Sequence, residues 1–342
     1  MIVCISEDRP NFEPGVRLLL MSLTKHCPNL PVYLIFPPAT HEFASWLARY
    51  QQVTLSTHRL DGTSSHNVKP QAMLHLMEDG HDEVLWIDSD IIVAGDFDRT
   101  LAHLPGDTFV ATEEALWAPH DDRDAWRARK WGLEVGRVLP FALNTGVIRA
   151  THMHKPLLQR WRELLESATY REAQRLDWRL RPLHMISDQE ALTALLSSME
   201  FSNVPLKFLT RGDDIIQYFG PYGFTVRERI LTLFGRSPPF IHSQGPNKPW
   251  AVNWHPVATA SVKAYLESVY LDLSPYTLTA RQYQPEMQDG AIWMNSHYWL
   301  SKSLRYIGFQ RRGLVGLPIA IIADAYRITK RLAQWFPRRA QA

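Results

Sequence analysis

Cys4 and Cys27 are the only cysteines in 342 residues. They cannot build a disulfide framework, and so few thiols suit a reducing compartment. The chain has no Asn-x-Ser/Thr acceptor, no internal repeat and no low-complexity tract. Its opening "MIVCIS" shows neither a basic stretch nor a long apolar one, so no secretory leader is expected. No apolar run reaches the ~20 residues of a membrane span. Charge is modest, with 21% charged and 45% hydrophobic residues and a net +2, which permits a well-packed globule and excludes wholesale disorder. One large domain or two fused ones, in the cytoplasm, is the expectation.

The low net charge conceals an asymmetry. From residue 297 onward nine Lys/Arg stand against one acid, Asp324. The body is mildly acidic and the tail strongly basic.

The first half alternates between strand and helix patterns. "MIVCI", "PVYLIF", "VTLSTHRL" and "EVLWIDSDIIV" read as strands. "GVRLLLMSLTKHC", "HEFASWLARYQ" and "KPQAMLHLMEDG", closed by Gly80, read as helices. This order predicts an α/β fold, a mostly parallel sheet with helices on both faces and ligands at the carboxyl ends of the strands. Residues 113–138 show no strand pattern. "FALNTGVIRA", "NVPLKFL" and "PPFIHS" read as strands and "KPLLQRWRELLESA" as a helix. "SDQEALTALLSS" carries the capping-box pattern, Ser187 with Glu190 three residues on.

Asp88-Ser89-Asp90 stands where a buried strand should end. In an extended segment residues i and i+2 point the same way, so two carboxylates converge and Ser89 turns aside. A divalent cation removes their repulsion, and hard oxygen ligands suit Mg²⁺ or Mn²⁺ with positions left for phosphates. A solvated turn after a strand fits the same pattern. In "FIHSQGPNKPW", His242 follows a short apolar strand and offers a third, imidazole ligand; a hydrogen-bonded structural histidine is its other reading. Gly245 and Pro246 form a tight turn, and Lys248 is a point charge suited to a phosphate oxygen.

"VLWIDSDIIV", "LNTGVIRA", "ISDQEALTALL" and "HSQGPNKPW", in that order, resemble glycosyltransferase family 8, a retaining group with the GT-A fold. The opening "CISEDRPNFEPGVRLLLMSL" is similar as well, so that the resemblance spans about residues 1–255. It implies a GT-A catalytic domain over 1–255, whose nucleotide-sugar-binding region is 1–112 and whose acceptor-side region is 113–255. A connecting segment 256–296 and a tail 297–342 follow. It implies that Asp88, Asp90 and His242 hold Mn²⁺ or Mg²⁺, and that Asp88 also approaches the ribose. Gly245 and Lys248 then bind the diphosphate, Ser6, Glu7 and Asp8 line the nucleoside pocket, and Lys69 lies near the donor. Asn144 and Asp188 contact the donor sugar, and Gln189 sits beneath its reacting carbon. The donor so implied is a UDP-hexose, with galactose or glucose favoured, and the acceptor is a hydroxyl of a saccharide or glycolipid. A double-displacement route needs a carboxylate near Gln189, from Asp188 or Glu190, whereas a front-face route needs none. Asp8-Arg9-Pro10-Asn11-Phe12 departs from the family's first loop. A catalytically inactive sugar-nucleotide-binding scaffold and a sugar nucleotidyltransferase are the alternatives; the latter usually shows a Gly- and Arg-rich first loop, which "SEDRPNFEPG" is not.

Trp117, Trp126 and Trp131 fall in the irregular stretch, where an acceptor-facing role competes with plain core. In the tail, Ile321, Ala325, Ile328, Leu332 and Trp335 recur at helical spacing beside Arg327, Arg331 and Arg338. That pattern suits an interfacial helix on an anionic membrane, hence a protein peripheral to the inner face of the cell membrane. A helix packed on the body or on a partner is the other reading. Nucleic acid is not expected, because the basic residues are interleaved with apolar ones.

Overall fold

The structure, a computed structural model, describes residues 1–60, 65–97, 101, 103–114, 116, 124–219, 222–234, 237–245, 248–251, 261–287, 291–295, 298–307 and 312–339. Among these the strands are β1 (Ile2–Ser6), β2 (Val32–Ile35), β3 (Val53–Ser56), β4 (Glu83–Ile87), β5 (Ile91–Val93) and β6 (Phe109–Glu113). They continue with β7 (Leu143–Thr151), β8 (Leu206–Leu209), β9 (Ile215–Phe219), β10 (Tyr222–Gly223) and β11 (Phe240–Gln244). The chain divides into two compact units, Met1–Ile91 with Asp96–Thr210, and Ile92–Gly95 with Arg211–Ala342.

The first unit is built on a seven-stranded sheet in the order β3-β2-β1-β4-β7-β6-β8. Pairings of β1 with β2 and β4, β2 with β3, and β6 with β8 are parallel, so the expected α/β, mostly parallel sheet is met. Short apolar runs such as Val84-Leu85-Trp86-Ile87 are buried on both faces, as strands covered by helices on each side must be. One face places Cys4, Trp86, Ala111 and Ile148 against the helices Lys69–Glu78, Lys155–Glu166 and Asp188–Ser197. Lys69–Glu78 opens with Pro70 in its first turn, where no N–H is missed, and Gly80 follows at φ +95°.

Two expectations are corrected and two features are added. "EVLWIDSDIIV" is not one strand: β4 ends at Ile87, and β5 belongs to another sheet. β7 runs antiparallel to both neighbours. β6 and β9 are five-residue strands that the strand-and-helix pattern of the sequence does not mark. Ser187 takes the extended N-cap backbone, but its side chain makes no cap bond, because Glu190 turns instead to Arg127.

The second unit holds a four-stranded sheet, β10-β9-β11-β5, with β9 parallel to β11. Its aromatic interior includes Tyr218, Tyr270, Tyr276 and Trp293. The helix Leu317–Arg339 rests on this unit through Ile319 and Ala320, and Asp324 accepts a 2.9 Å bond from the Val226 N–H. No described helix is long and apolar enough to cross a membrane.

Candidate active site

β4 delivers the chain to the sheet's carboxyl edge, where the Asp88 N–H donates to the Gly146 carbonyl at 2.8 Å. The chain then turns: the Ile91 N–H donates back to the Asp88 carbonyl at 3.1 Å. Asp88 and Asp90 therefore flank a turn and are not alternate residues of one strand. Ser89 has a partner of its own, donating to Glu7 at 2.6 Å. The Arg9 guanidinium forks onto Glu7 at 2.7 and 2.8 Å and lies 3.4 Å over the Phe12 ring. Burial lowers the Arg9 pKa, but Glu7, then Asp90 and Asp88, outweigh it and hold it above its ordinary value. Ser6 and Asp8 are half-buried at the end of β1.

One oxygen of Asp88 accepts from the Trp86 indole at 2.7 Å and lies 3.1 Å from the Lys69 ammonium. Lys69 is 3% exposed, and its N–H groups go to protein oxygens: the Thr145 carbonyl at 3.0 Å, the Thr145 hydroxyl at 2.8 Å and Asp88. Asp188 lies 3.5 Å away. Burial pulls the Lys69 pKa down; Asp188 and Asp88 more than offset it.

The Thr145 groups are accessible to Lys69 because β7 is irregular there. Ala111 pairs with Ile148, but Thr112 pairs with Asn144, so residues 145–147 bulge from the ladder. The Thr145 hydroxyl in turn donates to Asp188 at 2.9 Å. Asn144 donates to Glu114 at 3.0 Å and Gln189 donates to the same carboxylate oxygen at 3.4 Å. Asp188 is thus linked to Asp88 through Thr145 and Lys69, and its neighbour Gln189 shares Glu114 with Asn144.

Glu114, 1% exposed at the end of β6, and Arg127, 1% exposed against Glu190, were not singled out from the sequence. The signal for Glu114 existed: "FVATEE" ends an apolar run on two acids, as "VLWIDSD" does. Trp131 is packed on the core edge, its indole donating to the His184 carbonyl at 2.9 Å, and Trp126 is half-buried beside Arg127. Trp117 and Pro246 lie outside the described residues.

In the second unit, β11 carries His242, 3% exposed. Gly245 ends the strand at φ +91°, where a Cβ would meet the Phe219 ring at 2.4 Å. Lys248 is buried, and its ammonium donates to the Ser243 carbonyl at 2.6 Å. Asp90 leads directly into β5, the neighbour of β11, and the Ala94 N–H donates to the Pro239 carbonyl at 2.7 Å. Asp88 and Asp90 belong to the first unit and His242 to the second. Two carboxylates and an imidazole make a donor set that fits a divalent cation.

No family model and no curated protein matches the chain. Solved structures similar to it include the WbbM bifunctional glycosyltransferase, 15% identical over 73% of this chain and 46% of that one, TM-score 0.45. Another is the glycosyltransferase GlyE of Streptococcus pneumoniae, 16% identical over 83% and 63%, TM-score 0.44. A third is the galactosyltransferase LgtC in complex with donor and acceptor sugar analogues, 16% identical over 84% and 100%, TM-score 0.45. The chain therefore spans less than two thirds of the first two.

Proposed function

We propose that this chain is a metal-dependent, retaining glycosyltransferase of the GT-A fold and of family 8 type. It moves a hexose, galactose or glucose, from a UDP-linked donor to a hydroxyl of a saccharide or glycolipid acceptor. The observation that carries the reading is the chain of contacts from Asp88 through Lys69 and Thr145 to Asp188, whose sequence neighbour Gln189 meets Asn144 on the Glu114 carboxylate. Asp88, Asp90 and His242 would hold Mn²⁺ or Mg²⁺. The cation, when bound, neutralises charge that develops on the departing nucleoside diphosphate.

The chain's own residues do the rest. Lys248 and the Gly245 N–H receive phosphate oxygens. Ser6 and Asp8 line the nucleoside end. Lys69 acts through Asp88 and Asp188, holding both carboxylates in place. Asn144 and Gln189, steadied by Glu114, orient the sugar. Asp188 is tied to Lys69 and Thr145, and Glu190 is buried against Arg127, so neither carboxylate is offered to a sugar carbon. This supports the front-face route: the bond from sugar carbon to phosphate oxygen breaks, the acceptor oxygen bonds to the same face, and a phosphate oxygen takes the acceptor's proton.

Release of nucleoside diphosphate from a panel of nucleotide-sugars with Mn²⁺ tests the proposal. Turnover is expected with a UDP-hexose, and a folded Asp90→Ala protein should lose about 100-fold or more of it. Silence across the whole panel overturns the enzymatic reading; Mn²⁺-dependent turnover by Asp90→Ala overturns the metal assignment. The basic C-terminal helix supports a seat for this enzyme on the anionic cytoplasmic face of a membrane.

A further inference from the structure

Between the helices Ala168–Gln174 and Asp188–Ser197 the first unit carries an exposed segment reading R-L-D-W-R-L-R-P-L from 175 to 183. Four large apolar side chains in these nine residues face water: Leu180 is 72% exposed, Leu183 54%, Leu176 46% and Trp178 42%. The segment has a fixed frame. The Arg181 guanidinium donates to the carbonyls of Leu176, Gln174 and Ile186 at 3.1, 3.1 and 2.9 Å and to the Gln174 side chain at 2.5 Å. Asp177 closes a turn by accepting from the Arg179 N–H at 3.0 Å, and the Leu180 N–H donates to the Asp177 carbonyl at 2.8 Å. At its base the Gln174 side chain donates to the Met185 carbonyl at 2.6 Å. The apolar side chains are held outward by this frame and have not collapsed onto the core. A rigid apolar patch of this kind marks a contact with another phase or molecule.

We propose that segment 175–183 is a lipid-contact loop that seats in the headgroup region of an anionic bilayer. Charge selects this occupant. Arg175 and Arg179 are exposed beside the apolar residues, and Arg179 lies 4.9 Å over the Trp178 ring. Asp177 is the segment's one acid, and its carboxylate is already engaged by Arg179. Trp and Leu interleaved with Arg match the boundary between headgroups and acyl chains, with the guanidinium groups left among anionic headgroups. Five residues beyond Leu183 the chain reaches Asp188 and then Gln189. Docking there presents a glycolipid's sugar to those residues. The contact stands without the glycosyltransferase reading, and only this use of it rests on that reading.

The test uses the full chain with Leu180→Cys labelled by an environment-sensitive nitrobenzoxadiazole. Both native thiols are buried, so the label goes to one site. Vesicles of phosphatidylcholine with one third phosphatidylglycerol should shift its emission to the blue, and nitroxide-bearing lipids should quench it. Phosphatidylcholine alone should do neither. In the unlabelled chain, Trp178→Asp with Leu180→Asp should lower partitioning into the anionic vesicles about tenfold at an unchanged melting temperature. An unaltered spectrum on anionic vesicles, or an equal shift with polyglutamate and no lipid, overturns the proposal. The readout is lipid contact and never turnover, so the two readings fail separately.

Discussion

Glu190 is 2% exposed and held against the Arg127 guanidinium. Burial pushes its carboxyl up to about 7; Arg127 opposes the shift, and Glu114 adds to it. The folded state then binds this proton more tightly than the unfolded chain does. Its stabilising contribution is whole below the usual carboxylate pKa and is lost as pH rises through 7, a change on the order of 3 kcal/mol. Glu190→Gln should therefore flatten the fall in melting temperature between pH 5 and 7.5 relative to the parent. Parallel melting curves for the two proteins would show that Arg127 keeps the carboxylate ionised. At this scale the sequence marks Asp88, Asp90 and His242 by the apolar runs before them. It does not mark Ser89 as the ligand of Glu7, because Glu7 is 82 positions away.

The turn after β11 and the bulge in β7 each shape the candidate residues of their own unit. Gly245→Ala would force a side chain into the left-handed region and against the Phe219 ring. The backbone alone costs about 1–2 kcal/mol, and displacing Phe219 adds to it. A lowered midpoint in urea denaturation is the expected outcome, and an unchanged midpoint would argue against the turn as described. The glycine at this turn was legible from "HSQGPNK". The β7 bulge was not: "LNTGVIRA" reads as an ordinary strand, and only its pairing with β6 shows that residues 145–147 leave the ladder.

For the molecule as a whole, the C-terminal helix has two faces. Ile319 and Ala320 are buried, whereas Ile321, Ile322, Tyr326 and Ile328 are exposed at 52%, 63%, 59% and 59%. Truncating the tail would strip the buried face and the Asp324–Val226 bond from the second unit, so substitution is the cleaner probe. Ile321→Glu, Ile322→Glu and Tyr326→Glu together should lower sedimentation with anionic vesicles at least about tenfold, with the melting temperature held. Undiminished binding would remove the tail from the membrane contact. The side chains of Leu332, Trp335, Arg331 and Arg338 lie outside the described residues.

Local periodicity and turn chemistry act over a few residues. The sequence by itself therefore determined the alternation of strand and helix, the carboxylates after the apolar run of β4, the glycine turn after His242 and the amphipathic basic tail. The tertiary structure alone decided which side chains meet. Lys69 reaches Thr145 across 76 positions, Thr145 reaches Asp188 across 43, and Asn144 reaches Glu114 across 30. Those contacts depend on where β7 enters the sheet and on the direction in which it runs. Strand order and direction follow from packing a whole sheet between helices, which no short window of sequence encodes.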